Sequence, residues 1–252
     1  MSIRPSEYGS RGVLGIGTPQ ANPTVEQEMW LLRPDGVSLA CARLVSRDDD
    51  PKTRLTEYIE KLADTLERFD QLSLDAFGFA CTGSSYILGH SAEHLHLDGL
   101  SERFGYPVIS AAAAIEAALR EAGAQRIAFI APYPEWLGAL GKKYWTARGF
   151  EVASIGLAKL PGTDTRKIYE LDSTAATAQL EALDGKSVDT VVFSGTGMPS
   201  LRAILRARDA GVSAVSSNLC LAWALGRALG VVDKHTDPVA LIAARSAQLD
   251  SL

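Results

Sequence analysis

The chain has 252 residues, 46% hydrophobic and 22% charged, with a formal net charge of −5. That length suits one large α/β domain or two lobes with a shared core, and the acidic balance carries no basic signature for nucleic acid or an anionic membrane. No run approaches the ~18 apolar residues of a transmembrane helix, and the polar Met1–Gly12 stretch lacks the apolar centre of a signal peptide.

In chain order, Gly12–Gly17 reads as a short apolar strand that stops at Thr18-Pro19. Thr24–Leu32 reads as a helix, with Thr24 as N-cap and Gln27 three residues on. Leu39–Leu44 is a second strand, Asp48–Pro51 a solvated loop, and Thr56–Phe69 a helix on the spacing of Ile59, Leu62, Ala63, Leu66 and Phe69. The apolar strand Phe77–Ala80 then runs into Cys81-Thr82-Gly83-Ser84-Ser85. Pro107–Ser110 is a strand leading into an alanine-rich helix, Ala111–Glu121, closed by Gly123. Arg126–Ala131 is a strand ending in Pro132-Tyr133-Pro134, followed by a helix from Trp136 to Arg148 that Gly149 stops. Val152–Leu157 (strand), Thr174–Leu183 (helix) and Val188–Phe193 (strand) lead to Ser194-Gly195-Thr196-Gly197. A helix Met198–Asp209, a strand Val212–Ser217 and a helix Leu219–Leu229 complete the series.

Strands alternating with helices predict parallel sheets covered by helices on both faces. The order of elements repeats after about a hundred residues, as strand, proline-rich turn, helix, strand, helix, strand and Gly/Ser/Thr-rich turn. The expectation is an α/β protein of two pseudo-symmetric, closely packed lobes, 1–107 and 108–211, with a C-terminal segment 212–252. In such sheets ligands lie at the carboxyl ends of strands, which directs attention to the residues after Gly17, Ala80, Ala131 and Phe193.

Three cysteines, Cys41, Cys81 and Cys220, are scattered and odd in number, which points to reduced thiols in a cytoplasmic compartment. Cys41, mid-strand, and Cys220, in an apolar helix, read as core. Cys81 stands at a strand end beside free N–H groups and a helix start, where a thiol is expected to be acidified. Its thiolate can attack an activated alkene or carbonyl carbon, or move a proton at a carbon acid; the alternative is a buried structural thiol. Thr82, Gly83, Ser84 and Ser85 read either as an oxyanion or carboxylate cradle or as an ordinary strand-to-helix turn. Gly195, Thr196 and Gly197 are their counterparts in the second half. If the halves are related by a pseudo-twofold, Cys81 faces Gly195 and Thr196, and the site has one thiol. Asn22, in a proline-bounded turn, both donates and accepts, and the Tyr133 phenol can serve a substrate carboxylate or be a rim aromatic.

Other chemistries find little support. His90 and His94 share a helical face, but His96 falls off it and no zinc pattern is completed, so no metal is expected. Gly15-Ile16-Gly17-Thr18-Pro19 lacks the third glycine of a dinucleotide fingerprint, and Pro19 breaks the helix start. Neither a P-loop nor a serine-hydrolase elbow is present.

Taken together, Thr18-Pro19-Gln20-Ala21-Asn22-Pro23-Thr24-Val25-Glu26, Ala80-Cys81-Thr82-Gly83, Ala131-Pro132-Tyr133 and Ser194-Gly195-Thr196-Gly197-Met198-Pro199-Ser200 resemble the Asp/Glu racemase superfamily, in its branch of maleate cis–trans isomerases and arylmalonate decarboxylases. The resemblance spans Gly12 to Gly230. It implies two lobes with the site between them, a C-terminal segment returning to the first lobe, no cofactor, a small dicarboxylic acid as substrate, and self-association into dimers or larger assemblies. It implies that Cys81 is the first-lobe cysteine and that Asn22 and Tyr133 bind substrate carboxylate. The second-lobe cysteine is replaced by Gly195 or Thr196, and the second-lobe asparagine has no counterpart in Gly162-Thr163-Asp164-Thr165-Arg166. A two-base racemase is therefore not expected. Three readings remain: maleate-type isomerisation by Cys81 addition, arylmalonate-type decarboxylation with Cys81 as proton donor, and a non-catalytic carboxylate-binding protein. Asn22 favours the first.

Overall fold

A computed structural model describes residues 4, 7–160, 162, 164–183, 187–243, 245 and 248–249. Parts of the polar N-terminal stretch and of segment 212–252, and Thr163, lie outside the described residues. Four parallel strands, β1 (Gly12–Pro19), β2 (Val37–Leu44), β3 (Ala76–Phe79) and β4 (Val108–Ser110), form one sheet in the order β2-β1-β3-β4. Four more, β5 (Arg126–Ala131), β6 (Glu151–Leu157), β7 (Thr190–Phe193) and β8 (Ala214–Ser216), form a second parallel sheet in the order β6-β5-β7-β8. The two sheets share one strand order, so the repeat in the sequence is a repeat of topology.

The central strands are apolar because helices cover both faces; β1, β3 and β7 are buried along their whole length. Gly17 lets the Phe77 ring cross β1, since a Cβ there would meet Phe77 Cζ at 2.6 Å. The first half carries helices α1 (Thr24–Leu32), α2 (Pro51–Glu60), α3 (Leu62–Glu67), α4 (Thr82–Leu88), α5 (His90–Phe104) and α6 (Ala111–Glu121). The second carries α7 (Glu135–Ala147), a 3₁₀ helix (Thr165–Glu170), α8 (Ser173–Glu181), α9 (Leu201–Asp209), α10 (Ser217–Ala228) and α11 (Val239–Ala243). Local chemistry sets several starts: the Asp50 carboxylate accepts from the Thr53 amide ahead of Pro51, and the Ser110 and Ser216 hydroxyls accept from the third amide beyond them.

Several expectations change. Val108–Ser110 pairs with β3 and so belongs to the first sheet, whereas a boundary at 107/108 assigned it to the second lobe. Ala214–Ser216 likewise pairs with β7 rather than leaving with the C-terminal segment. In both cases a short strand must satisfy its backbone groups on the nearest open sheet edge. The helix expected over Thr56–Phe69 starts earlier, at Pro51, and breaks at Lys61 into α2 and α3. Thr24 is not an N-cap: the Asn22 side chain accepts from the Thr24 and Val25 amides, at 2.9 and 3.3 Å, and frees the Thr24 hydroxyl to donate to the Gly197 carbonyl. Helix α9 begins at Leu201, not Met198.

Helix α10 packs against α6 and α1 and against β3, where a Cβ on Gly78 would come within 2.8 Å of Leu225. Among the described residues, no helix is long and apolar enough to cross a membrane.

Candidate active site

The carboxyl ends of β1, β3, β5 and β7 converge on one small cavity. Its wall includes Pro19, Cys81, Thr82, Gly83, Tyr133, Gly195, Thr196 and Gly197. Four strand ends from two sheets thus meet where strand order reverses, the place an open α/β sheet offers to a ligand. Leu55 and Leu137 close the wall, and Thr165, Ile168 and Tyr169 of the 3₁₀ helix roof it. The cavity measures about 30 Å³, room for about one water and not for a four-carbon diacid. A diacid therefore fits there only if part of this wall moves.

Cys81 is the residue before α4 and is 4% exposed. Its thiol is not acidified, contrary to expectation. Burial pushes it up, and this outweighs the opposing pull of the Ser84 hydroxyl, the Ser84 and Gly83 amides and the Arg54 guanidinium. The Ser84 hydroxyl lies 3.2 Å from Sγ and 2.6 Å from the Leu55 carbonyl, so its one hydrogen serves two acceptors. The other thiols differ: Cys220 is buried in α10, while Cys41, expected in the core, is exposed on the edge strand β2. Proximity to Glu26 and partial burial push Cys41 up to about 11, burial being the larger cause.

Tyr133 stands over the same cavity, its hydroxyl 2.6 Å from Thr82 Oγ1 and 3.5 Å from Ser194 Oγ. Burial drives the phenol well above its ordinary range, so it stays a donor. Behind it, Ser194 Oγ meets the Tyr86 hydroxyl at 2.7 Å, and the Trp145 indole donates to Tyr86 at 3.1 Å. This buried chain holds Tyr133 rigidly against the first half.

The position of the absent second cysteine has a geometric reading. Gly195 has φ +101°, and a Cβ there would meet Pro132 Cδ at 2.8 Å, so a side chain is excluded by both backbone and space. Thr196 is the first position able to carry one. Its hydroxyl donates to the Ala80 carbonyl at 2.9 Å and accepts from Asn22 Nδ2 at 3.2 Å. Asn22 and Ser84 do not line the closed cavity; Asn22 is 1% exposed and sits behind Thr196, while Ser84 sits behind Cys81. Their amide and hydroxyl brace the wall.

Several wall and neighbouring residues were invisible in the sequence. Arg54 is one: its side chain is 4% exposed, and its guanidinium donates to Asp164 Oδ1 at 2.9 Å, to Thr165 Oγ1 at 3.1 Å, and to the Asp48 and Asp49 carbonyls. Tyr58, pushed up to about 12 chiefly by burial and next by Cys81, and Tyr169 in the roof are others. Nothing in the spacing of these residues marks them. They come to Cys81 only through the packing of α2 and the 3₁₀ helix. The three histidines do not gather: His90 and His94 stack at 5.9 Å on α5, and His96 Nε2 bonds the Ile59 carbonyl. Among the described residues no group of His, Cys, Asp or Glu has a metal-binding arrangement.

Comparison with known proteins bears on this geometry. Residues 14–240 match the family described as arylmalonate decarboxylase. A maleate isomerase of Geobacillus stearothermophilus is 31% identical over 209 residues, covering 78% of this chain and 82% of that protein. One from Pseudomonas putida is 25% identical over 230 residues, covering 86% of this chain and 91% of that protein. Among solved structures, a cysteine-to-serine variant of the Nocardia farcinica maleate cis–trans isomerase with a covalently bound succinylcysteine intermediate superposes with a TM-score of 0.79 at 22% identity, over 87% of this chain and 93% of that one. An arylmalonate decarboxylase superposes with a TM-score of 0.71 at 19% identity, over 86% and 92%.

Proposed function

Because the chain belongs to the arylmalonate decarboxylase family, we propose that it is a cysteine enzyme acting without a cofactor on a small dicarboxylate, by maleate-type cis–trans isomerisation at Cys81. The observation that carries the reading is a single thiol in a closed interlobe cavity, beside the paired hydroxyls of Tyr133 and Thr82 and the amides that open α4.

In this mechanism the Cys81 thiol first gives its proton to solvent, the step its raised pKa makes pH-dependent, and the thiolate adds to one alkene carbon of the cis diacid. A C–S bond forms, the alkene π pair moves into the adjoining carboxylate, and an enediolate results. The former double bond is now single and rotates. Return of the electron pair expels the thiolate and leaves the trans diacid, so no net proton or oxidant is consumed. The extra negative charge develops beside the Tyr133 and Thr82 hydroxyls, in a pocket whose wall is largely buried. The thiolate itself is supported by the Ser84 hydroxyl, the Gly83 and Ser84 amides and Arg54. The covalent succinylcysteine in the Nocardia farcinica variant fits this route, since that protein holds the adduct with one of its cysteines replaced by serine. Asn22, through Thr196, keeps the opposite wall in place. The three free cysteines support a cytoplasmic location.

A second reading is arylmalonate-type decarboxylation. Burial keeps the Cys81 thiol protonated, as a proton donor requires, and Leu55, Leu137 and Ile168 supply an apolar wall from which CO₂ can depart. Proton NMR in D₂O with maleate in one sample and phenylmalonate in another separates the two. Fumarate from maleate is the expected result. Deuterated phenylacetate with CO₂ release would replace it with the decarboxylase. Binding without turnover in both, unchanged by Cys81→Ala, would make the chain a carboxylate-binding protein.

A further inference from the structure

We propose that Arg54 is the partner of the substrate's second carboxylate, and that the Asp164 carboxylate is a stand-in that occupies its guanidinium while the site is empty and closed. The inference rests on the dicarboxylate reading above. A dianionic substrate needs two anion sites. The Tyr133 and Thr82 hydroxyls supply one. The roof itself is Thr165, Ile168 and Tyr169, next to the apolar Leu55 and Leu137. Thr165 is also bonded to Arg54, at 3.1 Å from Nη2 to Oγ1, so this cation lies directly behind a wall residue.

The ion pair of Arg54 and Asp164 is lopsided. The Arg54 side chain is 4% exposed, and two of its bonds go to the Asp48 and Asp49 carbonyls at the head of α2, which fix it to the first lobe. The Asp164 side chain is 37% exposed and has a second cationic partner, Arg166 Nε, at 2.8 Å. The anion can therefore return to water at small cost, while the buried cation needs an anionic or polar acceptor at all times. Asp164 and Thr165 both belong to the roof segment. When a diacid lifts that segment out of a 30 Å³ cavity, both of the roof's acceptors leave the Nη2 group together. A substrate carboxylate is the group of matching charge that takes their place, and guanidinium is the side chain suited to it. Specificity for a diacid over a monoacid follows, because only a diacid brings a second carboxylate to replace Asp164 on Arg54.

The test uses the full chain carrying Cys81→Ala, so that no turnover occurs, and titrates it calorimetrically with maleate and with isocrotonate, in which a methyl group replaces one carboxylate. Arg54→Gln is expected to weaken maleate tenfold or more, the worth of a charge-assisted hydrogen bond, and to leave isocrotonate within about twofold. Asp164→Asn is expected to tighten maleate severalfold, because the competing anion is gone and Arg54 remains. Opposite signs are the signature. A purely structural latch would weaken with either change, so a shared loss, or no effect from Arg54→Gln, overturns the proposal. Arg54→Lys, which keeps the charge without the fork, should fall between parent and Gln and serves if the Gln variant fails to fold. If the parent binds no maleate, the functional reading fails separately. Sulfate titrated in the same proteins then decides this one: binding lost in Arg54→Gln and gained in Asp164→Asn supports it, and no sulfate binding in any of them overturns it.

Discussion

At the scale of single residues, Cys81 is governed by burial more than by the helix start beside it. Four amide, hydroxyl and guanidinium interactions favour its thiolate, yet desolvation prevails and the thiol sits above its ordinary range in the empty site. The charged form of a thiol is the deprotonated one, so the thiolate fraction grows as pH rises toward that elevated value. Isomerase turnover by thiolate addition should therefore increase from neutral into alkaline pH, while protonation by a neutral thiol should decrease over the same span. A pH profile of kcat/KM on maleate and phenylmalonate reads the sign. Cys81→Ser should lower turnover at least about a thousandfold, since an alcohol there has neither the acidity nor the nucleophilicity; ordinary activity in that variant would remove Cys81 from the chemistry. Tyr133→Phe should raise the KM for maleate about tenfold while the protein stays folded, because the phenol edge is lost and the ring that packs against Tyr86 is kept.

At the scale of elements, the most informative contact is the one α1 makes with the second half. Glu28 is 6% exposed on α1; its carboxylate accepts from Asn218 Nδ2 on α10 at 2.8 Å and from the Ser200 amide before α9 at 3.2 Å. Asn218 also donates to the Thr196 carbonyl at 3.0 Å, so Glu28 is two hydrogen bonds from the cavity wall. Burial raises this carboxyl to about 7, against an ordinary 4.5, and the hydrogen bonds only partly offset it. The folded chain thus holds a proton that the unfolded chain has released, and stability from this group falls as pH rises between those two values. The loss is roughly 3 kcal/mol across the window. Glu28→Gln should flatten it: urea midpoints at pH 5 and pH 8 should draw closer together than in the parent. An unchanged gap would show that Glu28 is not buried uncharged at low pH.

At the scale of the molecule, two similar sheets make one site because side chains bridge them. Asn22 to Thr196, Thr196 to Ala80, Thr24 to Gly197 and Tyr86 to Ser194 each join a residue of one half to a residue of the other. Helix α10 adds a further tie, since it follows the last strand of the second sheet yet buries its Leu221 and Leu225 against Gly78 in the first. Leu225→Ala should cost about 2–5 kcal/mol, the range for deleting a buried leucine side chain, and denaturant unfolding should remain a single transition because both halves share that core. Two separated transitions would mean that the halves unfold independently.

The alternation of strand and helix, the two similar halves, the closure of strands in small polar residues, and Cys81, Thr82, Tyr133 and Thr196 as candidate groups are all legible in the amino-acid order. These are local properties: apolar runs, turn residues and spacing act within a few residues of where they are read. Tertiary structure alone decided that Val108–Ser110 joins the first sheet, that Asn22 braces the wall rather than lining it, and that the Cys81 thiol is raised. It also brought Arg54 and the 3₁₀ helix to the site. The physical reason is the same in each case. Strand partners, desolvation and ion pairs depend on groups far along the chain, Val108 pairing with Phe77 and Asp164 with Arg54, and no pattern within a short window encodes which distant group will arrive.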